Sequence, residues 1–175
     1  MTTTETPTTT TVDRERADIL ETLAHARHFL RYTVEGLTDE QAAQRPTVSE
    51  LRLAGLIKHV AGTEEGWADF IRRGPAAMAG GDDWSAHAMS FRMLPGETLA
   101  SLLVRYQEVA RRTDELVTTL PSLDLSHPLP EAPWFEPGAR WSARRVLLHI
   151  ATETAQHAGH ADILRETVDG QKSMG

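Results

Sequence analysis

The sequence of 175 residues contains no cysteine. That absence excludes disulfide bonds, metal sites built from thiolates and a cysteine nucleophile. A chain of this length can nevertheless bury enough apolar surface to fold as one domain without such cross-links. A cysteine-free composition fits a cytoplasmic location, which is the location we predict.

The chain also lacks an excess of positive charge and a long apolar run. Its formal net charge is −7, with acidic and basic residues mixed along the sequence, whereas a nucleic-acid-binding surface needs a basic face or stripe. No apolar stretch approaches the ~20 residues of a membrane-spanning helix, and the N-terminus has no secretory signal pattern. We therefore expect neither nucleic acid nor membrane among the partners.

Alternation of apolar and polar residues with period two is missing, and helical periodicity is present instead. We predict a disordered tail over the threonine-rich residues 1–11 and one helical domain over residues 12–175. A short helical turn is expected after Thr38. The four predicted long helices run from about Val12 to Glu35, from an N-cap at Ser49 to about Arg73, from about Gly96 to Leu120, and from an N-cap at Ser142 to Val168. The fold predicted is an all-α four-helix bundle with a long, proline-rich loop between the third and fourth helices; such loops often cover a site.

Titratable residues interrupt the inward face of the last helix, "HIATETAQHAGHADILRE". Glu153, His157 and His160 fall within roughly 60° of one another on a helix that turns about 100° per residue. Burying them without partners would cost several kcal/mol. Two explanations remain open: a hydrogen-bonded polar core, or a bound cation, because carboxylate and imidazole are ligands for zinc, iron, manganese and nickel.

The second helix offers a further ligand in His59, within "LIKHVAGTEEGW". Gly55, Gly62 and Gly66 lie on the His59 side, although glycine costs up to ~1 kcal/mol relative to alanine inside a helix. A close approach of another segment explains them, and so does open space in front of His59.

Other polar and aromatic residues carry weaker signals. His25 and His28 are expected at the solvent edge of the first helix, and His87 and His127 in loops. An arginine near the start of the last helix, Arg144 or Arg145, is either a surface charge or a group that holds a substrate carboxylate. Three tryptophans are expected as packing or lid residues that also suit the wall of a small-molecule pocket: Trp84, Trp134 and Trp141.

The two quoted stretches together resemble the DinB-like superfamily of four-helix metalloproteins. More narrowly, they resemble an actinobacterial subgroup of unknown function, related to the mycothiol-dependent maleylpyruvate isomerases. The resemblance covers nearly the whole chain after the tail. It implies a divalent metal held by His59 of the second helix and by Glu153 and His157 of the last. Zinc is the first candidate, with nickel, iron and manganese as alternatives.

The resemblance also implies a chemistry, because the superfamily includes S-transferases that use mycothiol or another low-molecular-weight thiol. The predicted function is metal-dependent thiol S-transfer or isomerisation on a small electrophile, with mycothiol as co-substrate. His160 and Glu64 are the candidates for moving a proton. His160 could instead be an extra metal ligand or a residue that supports a ligand, and Glu64 could instead cap the pocket or pair with an arginine. Relatives also suggest a homodimer.

Two competing functions remain. The chain could be a non-catalytic metal- or small-ligand-binding stress protein, or the polar cluster could be a purely structural hydrogen-bond network. Metal content separates the structural alternative from the other two, and thiol-dependent turnover separates an enzyme from a binding protein.

Overall fold

Four long helices dominate the computed structural model, which describes residues 9–78 and 88–173, with side chains from Arg14 onward. The helices are α1 (Thr9–Tyr32), the short α2 (Asp39–Ala43), α3 (Leu53–Arg73), α4 (Leu99–Thr119) and α5 (Ala143–Asp169). Helix α5 packs against α1 and α3, and α3 packs against α4. The all-α bundle predicted from periodicity is thus confirmed. Among the described helices, none is both long and apolar enough to span a membrane.

The helix ends follow capping chemistry, with one error in our prediction. Ser142 caps α5 as expected, because its side chain accepts a hydrogen bond from the Arg145 backbone N–H. The turn after Thr38 is helix α2, which begins with a capping box. Ser49, however, does not cap α3. That helix begins four residues later, and the Ser49 hydroxyl accepts from the Leu51 N–H in a local turn.

Other boundaries shift by a few residues. Helix α1 begins at Thr9, inside the predicted tail, and residues 1–8 lie outside the described part of the chain. Helix α4 begins three residues after Gly96, because Thr98 and Ser101 form a second capping box. The glycine at 170 ends α5 as expected, with a φ of 79° that glycine adopts without strain.

The long loop before α5 contains a short antiparallel hairpin that the sequence analysis did not predict. Strand β1 (Ser126–Pro128) pairs with β2 (Arg140–Ser142), so that His127 lies opposite Trp141. Each strand has three residues, too few to show a period-two pattern. The hairpin connects directly to α5, which begins at the residue after β2 ends.

Two apolar clusters make up the core, one toward each end of the bundle. Between them, each long helix contributes one buried polar side chain. These four residues are Arg27 on α1, Glu64 on α3, Thr113 on α4 and Thr154 on α5. Each threonine hydroxyl donates to the carbonyl one turn earlier in its own helix, and the two charged residues pair with each other. These four side chains, which we call the buried polar layer, therefore have hydrogen-bond partners within the bundle, whereas the buried hydroxyl of Tyr106 on α4 has none among the described residues.

The glycines of α3 have two different explanations. A Cβ at Gly55 would lie 1.9 Å from the carbonyl oxygen of Phe91, so this glycine permits the backbone around Phe91 to lie directly on α3. At Gly62 and Gly66 a Cβ would meet no atom within 4 Å among the described residues. Close approach accounts for the first glycine, and open space for the other two.

These glycines give opposite expectations for alanine substitution. Gly55→Ala should destabilise the protein by about 1–3 kcal/mol, because the segment around Phe91 must move to make room. Gly62→Ala should stabilise it by about 0.4–1 kcal/mol, because the new methyl group enters open space on a helix. Denaturant unfolding of both variants measures the difference, and equal effects of the two substitutions would contradict the close contact at Gly55.

Candidate metal centre

His59, Glu153 and His157 lie together between α3 and α5. Each offers one ligand atom, and the three atoms all lie within 4.8 Å of one another. The rings of His59 and His157 meet edge to face, with centroids 5.0 Å apart, and His157 Nε2 lies 3.7 Å from a Glu153 carboxylate oxygen. The structure therefore brings together the three residues that the resemblance selected as ligands.

A second pair of side chains fixes the direction and register of this contact. Trp67, two turns after His59 on α3, meets His149, two turns before His157 on α5, with ring centroids 4.9 Å apart. The numbers rise along one helix as they fall along the other, so the two helices run antiparallel. One helix supplies a single histidine and the other a Glu and a His one turn apart, which is how ligand sets are commonly built in bundle cores.

The segment that contains Ser90 and Phe91 lies on α3 at Gly55 and also contacts the His59 ring. The His59 Nδ1 lies 3.1 Å from the Ser90 hydroxyl oxygen, and the Phe91 ring stacks on the imidazole with centroids 3.9 Å apart. Thr63 Oγ1 lies 3.5 Å from Nε2, at the limit of a hydrogen bond. Sequence analysis missed Ser90 and Phe91, because they come from outside the four predicted helices.

His157 has a comparable neighbour in His160. Their Nδ1 atoms lie 3.4 Å apart, which places the second histidine on the side of the His157 ring away from Nε2. Burial lowers the pKa of His157, despite the opposing charge of Glu153. At neutral pH its ring is therefore uncharged, which is the form that binds metals.

Aromatic rings flank the site where the long loop meets α3 and α5. Trp141 stacks on Trp67 with centroids 4.9 Å apart, and His149 contacts both rings edge to face. The Arg145 guanidinium lies over Trp141, 4.3 Å from its ring centre. Trp141 is thus a packing residue that anchors the loop near the site, whereas Trp134 is 60% exposed.

Glu64 is placed in the buried polar layer by an ion pair with Arg27. The Arg27 Nη2 donates to one carboxylate oxygen at 2.5 Å, and Nε donates to the other at 3.1 Å. Asp114 accepts a further hydrogen bond from Arg27 at 2.8 Å. Pairing with an arginine, one of the roles expected for Glu64, is therefore observed. Both its oxygens are engaged, and a role in proton transfer stays a prediction that this geometry does not support.

Breaking this pair should cost far more than breaking a neighbouring exposed one. Glu64→Gln leaves Arg27 charged and only partly compensated in the core, so we expect a loss of about 3–5 kcal/mol of stability. The matched control is Glu65→Gln, whose carboxylate pairs with Arg105 and Arg112 nearer the surface and should cost about 1 kcal/mol or less. Urea unfolding measures both, and a Glu64→Gln loss as small as the control's would contradict this account.

The remaining candidate residues lie away from the cluster or outside the described part of the chain. His25 and His28 are exposed on α1, as expected. His127 is in β1 and bonds the Ile71 carbonyl through Nε2. Arg144 pairs with Glu15 and Asp124. Trp84 and His87 lie outside the described residues.

The all-α bundle is consistent with a DinB-like fold. The sequence profile of the mycothiol S-transferase family, which is DinB-like, matches residues 18–170. The match spans every helix that contributes to the site, and the chain belongs to this family. Family membership implies a small-molecule thiol as a partner. No curated protein matches the chain.

Proposed function

We propose that this protein is a metal-dependent S-transferase that joins a mycothiol-type thiol to a small electrophile. The observation that carries the proposal is the three-residue cluster on α3 and α5 in a chain of the mycothiol S-transferase family. His59, Glu153 and His157 would hold a divalent cation, with zinc the first candidate.

The donor set fits such an ion. Two imidazole nitrogens and one carboxylate oxygen form one of the common ligand sets of catalytic zinc, in which a fourth position stays open for water or substrate. Glu153 is 30% exposed and His157 is 12% exposed, so the cluster lies at the edge of the core, where a ligand from solvent can reach it. A purely structural zinc site would need a fourth protein ligand, and in the described residues the cluster has three members.

The chemistry follows from what the chain contains and lacks. When bound, a divalent cation lowers the pKa of a coordinated thiol, so that the thiolate is available at neutral pH. The chain has no cysteine, so the nucleophilic sulfur comes from the co-substrate. A sulfur–carbon bond forms, the displaced electron pair goes to the leaving group or the adjacent carbon, and the thiol proton must be taken up.

His160 is the residue we propose for that proton. It is partly buried beside His157, and an imidazole can accept and release a proton near neutral pH. We also propose that the stacked Trp67 and Trp141 rings present an apolar surface to a substrate held at the cluster. These residues bind, orient and move a proton, and none of them needs to form a covalent bond to the substrate.

Metal content tests the first half of the proposal. Protein prepared without a histidine tag and without chelators should contain roughly one metal ion per chain, because the cluster supplies one set of ligands. His59→Ala and His157→Ala should each lose it, and His25→Ala, which changes an exposed histidine of α1, should keep it. Plasma mass spectrometry measures the metal. No metal above background, even after reloading with zinc, nickel, iron or manganese, would leave the cluster as a structural polar network.

Thiol-dependent turnover tests the second half. The metal-loaded protein should consume a small alkylating electrophile in the presence of mycothiol, and His157→Ala should be slower by at least ~100-fold, because the thiol is no longer activated. His160→Gln should keep its metal and slow turnover by about 100-fold. Loss of thiol, followed with a thiol-reactive dye, measures the rate. A metal-loaded protein with no thiol-dependent turnover would instead be a non-catalytic metal- or ligand-binding protein.

A further inference from the structure

We propose that Ser90 is a positioning residue that fixes the tautomer of His59 and so presents Nε2 of that ring to the ligand cluster. This inference rests on the proposed metal site, but it concerns a property that the metal-free protein already has. Ser90 lies outside the long helices, just before Phe91, and its hydroxyl oxygen is 3.1 Å from His59 Nδ1.

A neutral imidazole such as that of His59 has two possible tautomers. One ring nitrogen carries the proton and the other has a free lone pair, and only the second can bind a metal. With Nδ1 protonated and donating to the Ser90 oxygen, Nε2 is left with its lone pair. Histidines that bind metals nearly always donate their other ring N–H to an oxygen acceptor, usually a carboxylate, a backbone carbonyl or water, which fixes both tautomer and ring orientation; we propose that the Ser90 hydroxyl oxygen takes this place for His59.

The position of Ser90 is determined by the packing of its neighbour Phe91. Gly55 has no Cβ, so the Phe91 backbone lies on α3 where a side chain would otherwise stand. The Phe91 ring then stacks on His59, with the two planes 21° apart, and the preceding residue is Ser90. The close approach at Gly55, the Phe91 ring and the Ser90 hydroxyl therefore together restrict the orientation of the His59 ring.

The two ring nitrogens of His59 have contacts of different length. Ser90 is 3.1 Å from Nδ1, whereas Thr63 Oγ1 is 3.5 Å from Nε2. The shorter contact is a normal hydrogen-bond length, and the longer one is marginal. Because a hydroxyl can donate as well as accept, our proposal is specifically that Ser90 accepts from Nδ1–H, the direction that leaves Nε2 its lone pair, and that the Thr63 contact gives way easily when another partner binds Nε2.

Ser90→Ala, Ser90→Thr and Thr63→Val test this directly. In the metal-free protein, ring ¹⁵N chemical shifts, assigned by comparison with His59→Gln, should show the Nδ1–H tautomer of His59. Ser90→Ala should mix in the other tautomer, while Ser90→Thr, which keeps the hydroxyl, and Thr63→Val should not. In chelator competition, Ser90→Ala should bind zinc roughly 10- to 100-fold more weakly, and the other two variants should bind it as the parent does.

The outcomes separate this inference from the proposed function. An unchanged His59 tautomer in Ser90→Ala would overturn the role of Ser90, whether or not the protein binds metal. If Ser90→Ala changes the His59 tautomer but leaves the zinc affinity unchanged, the proposed importance of Ser90 for the metal site is overturned. If the parent protein binds none of zinc, nickel, iron and manganese, the metal proposal fails, and the tautomer measurement still decides whether Ser90 orients His59. Near-ultraviolet circular dichroism of each variant verifies that the fold is retained.

Discussion

The antiparallel contact between α3 and α5 is the constraint on which the candidate site depends. It is fixed at two places, where His59 meets His157 and where Trp67 meets His149. A shift of one helical turn along either helix would move a ligand by about 5.4 Å, and the three ligand atoms would no longer lie together. The core on both sides of the cluster therefore sets the geometry of the site.

The buried polar layer adds a second constraint on the same helices. Glu64 follows His59 by little more than one turn on α3, and its ion pair with Arg27 ties that helix to α1. An apolar core alone could be satisfied by several similar rotations of a helix, whereas a two-point contact between a guanidinium and a carboxylate accepts few of them. We interpret the layer as a device that fixes the rotation of α3, and with it the direction in which His59 points.

Sequence reasoning reached the bundle and the cluster because both depend on periodicity. The steps of four and three residues from Val146 to Leu164 put Glu153 and His157 on the inward face, and the resemblance selected His59 as their partner. Ser90 and the partnership of Arg27 with Glu64 depend on which segments meet in space. No spacing within one helix contains that information. The hairpin was missed because its strands are too short to show a pattern.

Helix α5 continues from strand β2 without an intervening residue, since β2 ends at Ser142 and α5 begins at Ala143. The loop between the paired strands should therefore tolerate a change of length around Trp134 without moving the start of the site helix, whereas Leu129 packs against the core and Phe135 contacts Trp141. Trp134 in that stretch is already well exposed. The stretch around Trp134 is thus where a fluorescent label or a fused domain should disturb the ligand cluster least.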